Sequence, residues 1–256
     1  MKILAIGDVV GAEAVEHLKK HLWKKRSELG AELVVVNGEN ASAIYGIGVS
    51  EANTLFESGA DIITLGNHAF SKKEIFGMLS DSENIIRPAN YPPLAPGSGY
   101  TILNICGWKV LAINIMGTAF MESLACPFAT VDRILEREKG AYDFALMDIH
   151  AESTSEKLAL AYYFDGRISV MFGTHTHIPT ADERVLPGGS GYITDLGMTG
   201  PTDSIIGADA KTVIERCRTK IGTRLTVPHG SIVSEGALFD LDTSSMKVRS
   251  VTRIKF

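Results

Sequence analysis

Three observations predict an α/β fold: one domain over residues 1–256, built on two sheets. Short aliphatic runs alternate with amphipathic segments of helical period as far as Phe172. Beyond Phe172 the pattern changes to strands with a single helix among them. A glycine or turn followed by Asp, Glu, Asn or His recurs where the aliphatic runs end. The chain is 45% hydrophobic and 21% charged, enough apolar material for a large core, and no linker or repeat divides it. With 25 Gly, 9 Pro and 3 Cys it is neither collagen-like nor a disulfide-stapled scaffold.

Lys2 to Gly7 is a buried first strand ending in Gly-Asp. Glu13 to Leu29 carries Val15, Leu18, Leu22 and Leu29 on one helical face. Leu33 to Val36 is a strand, Ser50 to Glu57 a helix and Asp61 to Leu65 a strand. Ser71-Lys72-Lys73-Glu74 has the spacing of a capping box and is expected to open the next helix. Thr101 to Ile105 and Lys109 to Ile115 form a hairpin around Cys106-Gly107-Trp108. Thr130 to Glu138 is helical, Phe144 to Ile149 a strand, Thr154 to Phe164 a helix and Ile168 to Phe172 a strand. Strands are then expected at Ile193, Ile232 to Leu241 and Met246 to Phe256, with one helix from Asp209 to Lys220. Lys247, Arg249, Arg253 and Lys255 alternate with apolar neighbours, which marks a solvated edge strand rather than a nucleic-acid face.

The net charge of −5 and pI near 5.8 argue against stable binding of long nucleic acid. Three scattered cysteines with no CxxC pair point to a reducing, cytoplasmic setting. Met1 to Ile6 is too short an apolar stretch for a signal peptide, and no run approaches the ~20 residues of a membrane span.

The groups at the strand ends carry the chemistry. They are Gly7-Asp8, Asn37-Gly38-Glu39-Asn40, Gly66-Asn67-His68, Asp148-Ile149-His150 and Gly173-Thr174-His175-Thr176-His177. Each alone is explained as a cap or a turn. Together, in an open α/β sheet whose loops converge at the carboxyl ends of strands, they describe a ligand site. Asp8, Glu39, Asn67, His150, His175 and His177 offer carboxylate, amide and imidazole donors without a thiolate, a set that suits manganese, iron or zinc. They are too many for one tetrahedral zinc and fit two ions sharing a carboxylate. Two divalent ions against two carboxylates leave a positive surplus, which a bridging hydroxide lowers without abolishing. A phosphodiester anion is the matching substrate.

Other motifs are weaker. His17 and His21 have the spacing of a zinc-protease helix, but Leu18 stands where that chemistry needs Glu, so a solvated face is expected. His229 lies in a loop with no ligand-type sequence neighbour. Neither a P-loop, a G-x-G-x-x-G nor a nucleophile elbow occurs. The cysteines and the run Tyr162-Tyr163-Phe164 are expected in the core, and Arg87 to Pro92 as a wall of the pocket.

The pattern resembles the calcineurin-like metallophosphoesterases. Gly38-Glu39-Asn40 in place of a second Gly-Asp, and Asp8-Val9-Val10 in place of D-x-H, narrow the resemblance to the YmdB-like phosphodiesterases. It extends through Arg87 to Pro92, His150-Ala151-Glu152, Thr154 to Lys157, Asp165-Gly166-Arg167, Thr180 to Arg184, Tyr192 to Asp195 and Gly197 to Pro201. The resemblance implies a four-layer α/β/β/α sandwich with two mixed sheets. It implies a dinuclear metal site of Asp8, Glu39, Asn40, Asn67, His150, His175 and His177, with Glu39 bridging and His68 catalytic. Iron and manganese are the expected ions, cyclic nucleotides (2′,3′- and 3′,5′-) the expected substrates, and a homo-oligomer the expected state. The chain departs from the family at Ala69-Phe70-Ser71, where Thr-Trp-Asp is usual, and at Ala12 to Val15, where a Gly-Arg is usual.

The expected reaction is in-line attack of a metal-bridging hydroxide on phosphorus, with His68 as general acid. The alternative is a regulatory metalloprotein that binds nucleotide or phosphate and turns it over weakly, an option raised by Ala69-Phe70-Ser71.

Overall fold

Successive side chains of a strand point to opposite faces, and the first strand already divides two cores on that basis. In β1 (Lys2–Ile6), Leu4 and Ile6 join one apolar cluster while Ile3 and Ala5 join another. The computed structural model describes residues 1–256. In chain order β1 is followed by β2 (Asp8–Val9), α1 (Ala12–Leu29), β3 (Leu33–Asn37), α2 (Val49–Glu57), β4 (Ile62–Thr64), α3 (Ile75–Asp81) and β5 (Ile85–Ile86). The middle of the chain supplies β6 (Tyr100–Ile105), β7 (Trp108–Met116), α4 (Pro127–Arg137), β8 (Phe144–His150), α5 (Thr154–Phe164) and β9 (Val170–Thr174). The remainder is β10 (Arg184–Val185), β11 (Gly191–Ile193), β12 (Met198–Pro201), α6 (Ala210–Thr219), β13 (Ile232–Asp242) and β14 (Lys247–Lys255).

The first sheet has eight strands in the order β2-β12-β13-β1-β3-β4-β5, with β14 paired to β13. The second has six, in the order β10-β11-β9-β8-β7-β6. Both are mixed. In the first, β1, β3, β4 and β5 run parallel and β13 antiparallel to β1; in the second, β7, β8, β9 and β11 run parallel.

Three apolar clusters make four layers. α1, α2 and α3 cover one face of the first sheet through Leu18, Leu22, Leu55, Ile75 and Leu79. The two sheets pack on each other through Ile3, Leu33, Val35, Val110, Phe144, Phe172 and Phe239. α4 and α5 cover the outer face of the second sheet through Val131, Ile134, Leu160 and Phe164. The layering is α/β/β/α, as expected, and each fully buried aliphatic or Phe side chain contributes about 1.5–3 kcal/mol to it.

Several expectations need correction. The capping box is not formed: Ser71 N–H bonds His68 O in a turn, and α3 starts only at Ile75. The strands β2, β5, β10 and β12 are too short for a periodic signal and were not expected. All three cysteines are exposed, and in Tyr162-Tyr163-Phe164 only Phe164 is buried. Those tyrosines lie on the outer side of α5, where Tyr163 bonds Asp132. β14 is the edge strand anticipated, paired with no strand but β13. No helix is long and apolar enough to cross a membrane.

Candidate metal centre

The polar groups gather where parallel strands end. Asp8 lies on β2, Glu39 and Asn40 follow β3, and Asn67 and His68 follow β4. From the second sheet, His150 closes β8, and His175 and His177 follow β9. Packing the sheets face to face sets these two groups against each other.

His150 is the hub. Its Nε2 lies 3.2 Å from Glu39 Oε1, 3.0 Å from Asn67 Oδ1 and 3.1 Å from His175 Nδ1. Glu39, His150 and His175 each place a ligand atom within 4.8 Å of the others. Beside them Asp8 Oδ1 stands 3.7 Å from His177 Nε2 and 4.0 Å from His150 Nδ1. Asn40 joins the two groups, with Nδ2 at 3.2 Å from both Glu39 Oε1 and His177 Nε2. His68 flanks the cluster: its N–H donates to Glu39 Oε2 at 3.2 Å, and its ring Nε2 is 3.1 Å from Asn67 Nδ2. All eight residues named from the sequence therefore meet in one place.

The backbone makes room for them. A Cβ on Gly66 would overlap Glu39 Oε2 and His150 Nε2, so only glycine lets the chain pass this close. His175 and His177 both adopt positive φ, 96° and 63°, a costly conformation for residues with a Cβ.

The electrostatics call for a cation. Asp8 is fully buried, and burial raises its pKa to about 6 against the pull of His177 and His150. Burial disfavours a charged His150, yet the Glu39 carboxylate outweighs it and lifts His150 to about 9. Burial and the His150 charge push His175 down to about 3. Burial also lowers His68, with Glu39 opposing. Two buried oxygens, Asp8 Oδ1 and Asn40 Oδ1, have no hydrogen-bond partner. An unpaired buried carboxylate oxygen among imidazole nitrogens is what a metal ion satisfies, and the donor set fits one.

A layer of residues to which the sequence assigns no role of their own holds these ligands. Asp148, fully buried on β8, accepts from Thr64 Oγ1 at 2.5 Å, Thr174 Oγ1 at 2.7 Å and Asn37 Nδ2 at 3.1 Å. Thr174 has given its one hydroxyl proton to Asp148, so it accepts from His150 Nδ1 at 2.9 Å and leaves Nε2 facing the cluster. The buried Lys157 reaches Asp195 Oδ2 at 2.7 Å, and that oxygen also accepts from Thr176 Oγ1 at 2.8 Å, between the two strained histidines. Glu152 Oε2 lies 3.2 Å from His175 Nε2. The sequence signal for this layer is an Asp inside the aliphatic run Phe144 to His150, where a charge needs partners that lie elsewhere in the chain.

A cavity of about 260 Å³ opens over the cluster, lined by Glu39, Asn40, His68, Glu152, His175 and His177 and by apolar residues beyond them. Arg87 to Pro92 does not line it. Arg87 spends its guanidinium on the carbonyls of Pro88, Ala95 and Pro96, and Tyr91 packs edge-on to Phe70 at 5.1 Å. His17 and His21 lie with their rings tilted at 46° to each other on α1 and do not line this cavity, and His229 pairs with Glu13 across the surface.

A model of the YmdB-like protein family matches residues 4–254. The chain belongs to the YmdB-like family. Its YmdB-like relatives include the 2′,3′-cyclic-nucleotide 2′-phosphodiesterase of Bacillus subtilis, 43% identical over 99% of this chain and 96% of that one. A crystal structure of a novel phosphatase from Mycoplasma pneumoniae superposes with a TM-score of 0.94 at 31% identity, covering 100% of this chain and 93% of that one. The 5′-nucleotidase precursor of Thermus thermophilus shares the fold at 11% identity, with a TM-score of 0.61 over 100% of this chain and 54% of that one. The two-sheet α/β/β/α sandwich of this YmdB-like chain is thus a fold it shares with that phosphatase and with the 5′-nucleotidase precursor.

Proposed function

We propose that this protein is a metal-dependent phosphodiesterase acting on small phosphodiesters, cyclic nucleotides above all, with two metal ions per chain drawn from iron and manganese. The observation that carries the reading is the meeting of Asp8, Glu39, Asn67, His150, His175 and His177 around two unpartnered buried oxygens. The activity of the Bacillus subtilis relative supports a 2′,3′-cyclic substrate, and a 3′,5′-cyclic one is the natural second test. Two ions fit the division of donors, with Asp8 and His177 on one side, Asn67, His150 and His175 on the other, and Glu39 and Asn40 between. Bound ions would supply charge neutralisation and activation of water.

The chain's own residues do the rest. His68 is the proton donor: its backbone N–H is tied to Glu39, its ring stands beside Asn67 and lines the cavity over the ligands, and its proton would go to a departing alkoxide. Thr174 and Glu152 fix the rings of His150 and His175, and Lys157 with Asp195 holds the turn that carries His175 and His177. Ala69 is buried in the first core and Phe70 packs on Phe76 and Tyr91, and the turnover measurement below decides between the diesterase and a weakly active regulatory metalloprotein. The reading includes a cytoplasmic homo-oligomer that acts without long nucleic acid; three exposed, unpaired cysteines suit a reducing compartment.

The test is hydrolysis of adenosine 2′,3′- and 3′,5′-cyclic phosphates by chelator-stripped protein before and after adding Mn(II) or Fe(II). Metal should restore turnover. His68→Ala should lower kcat by about 10²–10⁴ for these poor leaving groups, with metal content unchanged. No turnover of either substrate with any metal would refute the reading.

A further inference from the structure

We infer that the apolar part of the cavity beside the metal centre is a seat for the nucleobase, which it holds by the base's faces rather than by its edges. The inference rests on the diesterase reading and says where the nucleoside lies. Beyond the metal-type ligands the cavity is walled by Ile44 and Tyr45 from the loop after β3, Val10 next to β2, and Ile206, Ala208 and Leu225 from the connection between β12 and β13.

Both loops are tied to the reacting end. The Tyr45 ring lies 4.3 Å, centroid to centroid, from the ring of His68. Ile206 O accepts a hydrogen bond from His177 Nδ1 at 2.8 Å. Ile206 has φ +48°, a strained conformation for a β-branched side chain. Such strain persists where surrounding contacts enforce it and clusters at ligand clamps. Here it holds an apolar side chain that is 48% exposed beside a charged centre, facing the same cavity as Tyr45, itself 45% exposed.

A 2′,3′-cyclic nucleotide presents that same combination of polarities. Its phosphorus is joined to O2′ and O3′, and the base stands on the neighbouring C1′, so anchoring the phosphate brings the base within one sugar's width. Bases have apolar faces on which aromatic side chains stack, and such stacking tolerates all sequences. Ile44, Ile206, Ala208 and Leu225 have no side-chain donor or acceptor with which to read a base edge. The seat therefore favours a base over no base and discriminates little among bases.

The experiment compares kcat/KM for adenosine 2′,3′-cyclic phosphate, uridine 2′,3′-cyclic phosphate and the 2′,3′-cyclic phosphate of methyl β-ribofuranoside, which has no base. The unmutated protein should prefer the adenosine substrate over the base-free one by about ten-fold or more, mainly through KM, and over the uridine one by less than that. Tyr45→Ala should erase most of the preference for a base, Leu225→Ala part of it, and Tyr45→Trp should keep it. Equal kcat/KM for base-bearing and base-free substrates in the unmutated protein would overturn the seat while leaving the diesterase reading intact. Equal losses on all three substrates in Tyr45→Ala would also overturn it, marking Tyr45 as a support for His68 only. No turnover of any of the three would overturn the seat, and the diesterase reading falls with it only if adenosine 3′,5′-cyclic phosphate is not hydrolysed either.

Discussion

The two sheets contribute different chemistry to the same edge. The first supplies oxygen: the carboxylates of Asp8 and Glu39 and the amides of Asn40 and Asn67, all before residue 70. The second supplies nitrogen, from His150, His175 and His177, all from residue 150 onward. Neither half makes a mixed-donor site alone. The candidate metal centre is therefore a product of packing between sheets, not of any local motif. The apolar cluster between the sheets supplies the driving force, and Asp148 supplies the alignment. It is a second-sheet carboxylate that takes Asn37 and Thr64 from the first sheet and Thr174 from its own. Burying that charge costs several kcal/mol, and the three donors offset part of the cost in the same arrangement that presents His150 Nε2 to Glu39.

Removing the hub should break the comparison most severely. His150→Ala deletes the ring that meets oxygen donors from the first sheet and His175 from the second. Metal affinity should fall by more than the about 10–100-fold typical of losing an outer hydrogen-bond partner, and turnover with it. Titration with Mn(II) and a circular dichroism spectrum of native shape would check this.

Next in size is the alignment itself. Asp148→Ala leaves the buried side chains of Asn37, Thr64 and Thr174 without their acceptor. Metal-free protein should lose about 3–5 kcal/mol in urea denaturation, the usual cost of breaking a buried charged network. Metal affinity should fall by about 10–100-fold as His150 loses its fixed tautomer. Unchanged stability would show that the sheets align without it.

A smaller effect is expected within the second sheet alone. Glu152 is more than half exposed, so water partly replaces its contact with His175. Glu152→Gln should weaken metal binding by about ten-fold at most, the low end of the outer-partner range. The smallest is none: His21→Ala on the exposed helix face should leave metal content and turnover unchanged, which the same metal analysis would show.

Most of the donors were legible because they follow a glycine or close an aliphatic run, and the fold places such positions on one edge, whereas Asn40 was named only through the family resemblance. Asp8, Glu39, Asn67 and His150 needed only strand ends to be found. What holds them was not legible. Thr64 reads as an ordinary strand residue, and Asn37 and Thr174 stand in the strand-end groups without an evident partner, until the second sheet is laid against the first; Asp148 is 111 residues from Asn37 in the chain. Ser71 misled because a capping box is a local pattern, while the turn from His68 to Glu74 is shaped by the site before it. The cysteines misled because residue-type averages say nothing of a particular loop: Cys106 lies in a hairpin turn and Cys126 just before α4. The short strands β2 and β12 pair only with strands distant in sequence, so no local period announces them.

The central claim, that donors from both sheets share two ions through Glu39, is tested most directly by counting metal. Protein loaded with excess Mn(II) or Fe(II) and freed of unbound ion should carry two ions per chain. Glu39→Gln removes the charge placed between the two groups of donors and should reduce both together, to fewer than one. A single tightly held ion in the unmutated protein, or one ion surviving at full occupancy in Glu39→Gln, would contradict the account.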